Sequence, residues 1–78
     1  MNMREETNIQ IKNMRENFKK LRIAKGLSIE ELSKQSGIKQ KILTDIEDGR
    51  DFNVKFLIDL CRFYRIQPKE IFYINVSF

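Results

Sequence analysis

Histidine and tryptophan are absent from the 78 residues, and cysteine, proline and glycine are scarce, at one, one and three. Without histidine there is no imidazole acid or base, no Ser-His or Cys-His nucleophile and no zinc site of the Cys/His type. A single cysteine, Cys61, excludes an internal disulfide and fits a reducing, cytoplasmic compartment. It stands between Leu60 and Arg62 in an apolar stretch and reads as a core thiol. No apolar run approaches the roughly 20 residues of a membrane span. The opening MNMREETNIQ also lacks the apolar core of a signal peptide. No catalytic constellation can be assembled, and no cofactor or metal is expected.

What is present is one small, highly charged domain. Lys and Arg number 15 against 11 Asp and Glu, a net +4, with 41% hydrophobic and 33% charged residues. That balance suits a folded, mainly helical globule and not a disordered tail. A chain this short buries only roughly 60% of its unfolded surface, so a homodimer is a natural source of added stability.

The spacing divides the chain into a polar arm over 1–12, a helical domain over 13–72 and an apolar tail over 73–78. Met14, Phe18 and Leu21 fall at i, i+4 and i+7, one face of a first helix that starts near Asn13 and ends before Gly26. Ser28 with Glu31 three residues later forms a capping box that opens a second helix, Ile29 to Ser36, closed by Gly37. A third helix from about Lys39 to Asp48 turns Ile42, Leu43 and Ile46 inward and stops at Gly49. Asn53 caps a fourth over Val54 to Tyr64, and Pro68 suits the first position of a short fifth. Beyond it, Phe72, Ile74, Val76 and Phe78 alternate with Tyr73, Asn75 and Ser77, the period of a strand.

The most informative stretch runs from Gly26-Leu27-Ser28 through Glu31-Leu32-Ser33 and Gly37-Ile38 to Ile46-Glu47-Asp48-Gly49. Two short helices meet at Gly37, and small Ser33 allows them to cross closely. Such a pair displays its second helix on the surface, free to enter a major groove about 12 Å wide.

These residues resemble the Cro/CI-type helix-turn-helix family, which includes the lambdoid phage repressors, over about residues 14–72. The resemblance rests on Leu21-Arg22, Gly26-Leu27-Ser28, Glu31-Leu32, Gly37-Ile38 and Ile46-Glu47-x-Gly49. It implies an all-α, five-helix lambda-repressor-like fold, to which the alternating termini would add short β segments. It also implies a salt bridge between Arg22 and Glu47, both beside apolar faces where a lone charge would be costly. Phosphate contacts map onto Ser28 and Arg50. Base-edge contacts map onto Lys39, Gln40, Lys41, Thr44 and Asp45. Gln40 suits an adenine edge, Lys41 guanine O6 or N7, Thr44 a thymine methyl, and Asp45 a cytosine amino group.

The chain departs from the family pattern at four points. Ile29 replaces a glutamine that braces the DNA backbone, leaving apolar surface near the expected DNA face. Lys39 lacks a capping oxygen, Phe52 stands for a proline, and Arg65 for a turn glycine. Residues 39–51 hold three cations and four carboxylates, whereas residues 12–25 hold six cations and only Glu16. The strongest basic segment is therefore on the first helix, not on the one expected to enter the groove.

The function implied is a sequence-specific DNA-binding transcriptional regulator, a repressor that binds an operator as a homodimer through its third helix. The alternative is a protein-interaction adaptor on the same scaffold, and a toxin or other protein partner stays open. The candidates for the dimer contact are Ile71 to Phe78 and Ile9-Gln10-Ile11, and the tail is expected either to pair with Thr7 to Ile11 as a small sheet or to pack in a dimer interface.

Overall fold

The computed structural model describes the backbone of residues 3–73 and the side chains of residues 9–73. It contains α1 (Met3–Ala24), α2 (Ile29–Ser36), α3 (Gln40–Asp48), α4 (Lys55–Tyr64) and a closing 3-10 turn (Pro68–Phe72), with no strand among the described residues. The order of elements is thus as expected over the helical domain. The fifth element is a 3-10 turn instead of an α-helix. Pro68 opens it, and Glu70 Oε1 accepts from the Gln67 amide at 3.2 Å across its first turn.

Over residues 3–12 helix takes the place of the expected polar arm. From Met3 onward the segment carries neither glycine nor proline. Ile11 lies three residues before Met14 and seven before Phe18, so it extends the same stripe by a turn. Thr7 to Ile11 therefore cannot pair as a strand with the tail, of which Ile74 to Phe78 lie outside the described residues.

The core gathers Met14 and Phe18 from α1, Leu32 from α2, Ile38 from the turn and Leu43 and Ile46 from α3. Leu57, Leu60, Cys61 and Tyr64 of α4 and Ile71 of the closing turn complete it. Buried Asn17 donates from Nδ2 to the Ile71 carbonyl at 2.7 Å, which ties the closing turn to α1. The fourth helix starts one residue later than expected, with Val54 and not Asn53 at the cap position, and Asn53 Oδ1 accepts from the Lys55 amide at 3.0 Å in the turn that leads into it. Arg65 ends α4 with φ 58, holding a left-handed conformation that costs a side chain more than a glycine. Burial raises the Cys61 thiol to about 11, with Glu70 adding to the shift, and keeps it a neutral core group.

Tyr64 carries an imperfection. Its hydroxyl is buried without a hydrogen-bond partner among the described residues, and burial, then the nearby Glu47 carboxylate, raises its pKa. Removing an unpartnered buried hydroxyl relieves a desolvation cost. Tyr64→Phe is expected to stabilise the domain by up to about 1 kcal/mol, read as a higher thermal midpoint. A drop of similar size would show that the hydroxyl has a partner.

Candidate nucleic-acid interface

The α2–α3 pair is built from local signals that reinforce one another. Ser28 Oγ accepts from the Glu31 amide at 3.0 Å, while Glu31 Oε1 accepts from the Ser28 amide at 3.1 Å. The bond from the Ser28 amide, and then the Ser28 side chain, hold the Glu31 carboxyl below its ordinary range. The stabilisation is present above about pH 4.5 and is lost as pH falls through the lowered value. At the other end of α2, Gly37 turns the chain with φ 78, where a side chain would be strained. Ser33 Oγ donates to the Ile38 carbonyl at 2.6 Å, locking the turn across the crossing point.

Helix α3 begins with little help. Lys39 precedes it without a side-chain cap, and only backbone bonds to its carbonyl close the first turn. Its far end is held by α1. Arg22 donates from Nε to Glu47 Oε2 at 2.9 Å and from Nη2 to Oε1 at 3.0 Å, a fork-on-fork pair. Its Nη1 also donates to the Leu27 carbonyl at 2.8 Å, so one guanidinium joins α1, the loop before α2 and α3. The two side chains retain 14% and 7% of their exposure. The Glu47 bond raises the Arg22 pKa against the opposing effect of burial.

The residues expected to face DNA divide into three groups. Lys39, Gln40 and Lys41 are exposed side by side at the start of α3, and Thr44 is half-buried one turn later. Ser28 and Arg50 are exposed at the start of α2 and in the loop after α3. Asp45 is different. It is 8% exposed, with Lys41 Nζ 3.3 Å and Arg50 Nη1 3.6 Å from its two oxygens. The last turn of α3 lies under α1, so Asp45 is covered and acts as a tether for two cations, which corrects its assignment to an exposed reading position.

Two other sequence readings change in the same way. Ile29 packs half-buried against the core and does not leave an apolar patch. The basic segment of α1 is not a surface patch of six charges. Arg15 and Arg22 turn inward onto α3, Lys25 lies over the Phe63 ring and Lys12 faces Glu16.

A helix-turn-helix family model matches residues 18–71, more than two thirds of the chain. The chain belongs to the Cro/CI-type helix-turn-helix family. No curated protein and no solved structure matches it. Domains of this helix-turn-helix family are DNA-binding regulator domains. Within the family frame, α2 and α3 are the helix-turn-helix pair. The N-terminal turns of α1, through Asn17, precede the matched region. Among the described residues no helix is long and apolar enough to cross a membrane, and no cluster of candidate metal ligands occurs.

Proposed function

We propose that this protein is a sequence-specific transcriptional repressor that binds an operator as a homodimer, with α3 in the major groove. The observation that carries the reading is the exposed run Lys39-Gln40-Lys41, presented on a helix clamped from behind. Gln40 and Lys41 offer hydrogen bonds to adenine and guanine edges, and Thr44 a methyl contact. Lys39 stands beside them as a further base-edge candidate, and Ser28 and Arg50 serve the phosphates. Ser28 Oγ accepts from the Glu31 amide within the capping box, and its exposed hydroxyl offers a donor to a phosphate oxygen. Asp45 contributes indirectly, through the cations it holds. Occupying the operator would exclude polymerase sterically, with no cofactor.

The reading is tested by fluorescence anisotropy with DNA from upstream of the protein's own gene and a scrambled duplex, at about 50 and 200 mM salt, a range in which phosphate contacts weaken strongly. Tighter, salt-sensitive binding to the upstream DNA is expected. Equal weak binding to both duplexes would overturn the reading in favour of a protein-interaction adaptor.

The dimer reading is supported by apolar surface where the tail leaves the domain. Tyr73 is 72% exposed, Ile9 and Ile11 are also exposed, and Gln10 Nε2 donates to the Tyr73 hydroxyl at 2.9 Å. Deleting residues 73–78 is expected to shift the sedimentation mass from dimer to monomer. An unchanged mass would place the contact elsewhere.

A further inference from the structure

The middle of α1 holds an arginine that the helix-turn-helix match, beginning at Phe18, does not include. Arg15 Nη1 donates to the Asp45 carbonyl at 2.9 Å and to the Ile46 carbonyl at 2.8 Å. Its guanidinium carbon stands 5.6 Å from the centre of the Phe52 ring. Both carbonyls belong to the last turn of α3, where the helix dipole favours a cation. The Asp45 carbonyl also accepts from the Gly49 and Arg50 amides, so Arg15 joins the bonds that end α3.

Arg15 and Arg22 are seven residues apart, two turns of one helix and about 10.5 Å along its axis. Both reach α3, one to its backbone and one to Glu47. A helix held at one point can pivot; held at two, its angle and its rotation about its own axis are fixed. That matters because α3 has no side-chain cap at its other end. Gln40 and Lys41 stand at that loosely secured end and Thr44 midway along the helix, so a small rotation of α3 moves their side-chain tips by more than a hydrogen bond tolerates.

We propose that Arg15 is a positioning residue for DNA reading: with Arg22 it forms a two-point clamp on α3 that sets the direction of Gln40, Lys41 and Thr44. The inference rests on the DNA-reading proposal above. Its test compares affinity for the operator with affinity for a scrambled duplex. Loss of folded protein lowers both by the same factor, and loss of one positive charge weakens both similarly. Misdirection of α3 lowers the operator affinity selectively.

Arg15→Met keeps much of the aliphatic stem against Phe52 and removes the donor. Lys19→Met removes the same charge from the exposed face of α1 and serves as the control. Arg15→Met is expected to reduce the operator-to-scrambled ratio by about fivefold to tenfold, the lower range for losing one base contact. Lys19→Met should leave the ratio unchanged, and Arg15→Lys should restore part of it. A ratio unchanged in Arg15→Met, or reduced equally in Lys19→Met, overturns the proposal. Amide exchange without DNA supplies a second readout. The Gly49 and Arg50 amides should exchange faster in Arg15→Met while the α2 amides do not, and equal rates there would refute the clamp. A wild-type chain with no preference between duplexes would refute the DNA-reading proposal, whereas the exchange rates would still decide whether Arg15 holds the end of α3.

Discussion

Arg22→Met is expected to cost about 3 kcal/mol, the lower end of the penalty for breaking a buried ion pair because both side chains keep some exposure. A domain of 78 residues has roughly 4–12 kcal/mol to lose, so the variant would give up between about a quarter and three quarters of its stability. The cost arises mainly on the partner's side. Without Arg22, the Glu47 carboxylate stays largely buried with no cation, and the Leu27 carbonyl loses its donor. Urea unfolding followed by circular dichroism should show a lower midpoint at an unchanged slope. The double variant Arg22→Met, Glu47→Leu should recover most of the loss, since an apolar pair of similar volume removes both charges together. A single-variant cost below about 1 kcal/mol, the ordinary value of an exposed pair, would contradict this account of the clamp.

Gln40→Ala and Lys41→Ala are expected to have the largest effects on DNA. Losing the Gln40 amide should weaken operator binding by about tenfold, within the range of one good base contact, and leave scrambled DNA nearly unaffected. Lys41→Ala should cost more. It removes a base-reading cation and takes from Asp45 one of its two partners, leaving Arg50 as the remaining cation against that carboxylate. The acid would then stand less screened beside incoming phosphates, so Lys41→Ala should also weaken scrambled DNA. Lys69→Ala, on the closing turn, is the control for charge alone. Anisotropy titrations of the three variants separate these effects. If Gln40→Ala and Lys69→Ala behave alike, α3 does not read bases through Gln40.

The parts of this molecule that were legible in sequence are those fixed by neighbours in the chain. The capping box of Ser28 and Glu31, the turn at Gly37 and the stop at Gly49 depend on spacings of a few residues, and α2 has the bounds they indicate. Arg22 and Glu47 lie far apart in the chain, and it was the family resemblance that joined them. Where only a distant element decides, spacing failed. Asp45 looks exposed on a helical projection of α3, but it is buried where Arg15, midway along α1, meets the last turn of α3. Arg15 looks like one more surface cation until its partners, 30 and 31 residues away, are in view. The early start of α1 was obscured by Ile9 and Ile11, whose two-residue spacing imitates a strand. The fifth element showed its proline start but not its pitch, because five residues fit a 3-10 turn as readily as the beginning of an α-helix.

The account stands or falls on whether α3 reads bases in two symmetric copies. Selection of tight-binding duplexes from a random pool by the intact protein, followed by sequencing, addresses this directly. The expected result is an enriched, two-fold symmetric motif whose half-sites have centres about 34 Å apart, one helical turn, and whose enrichment Gln40→Ala relaxes at one position of each half. A pool that stays random after repeated rounds would contradict it and point to a protein partner for this surface instead.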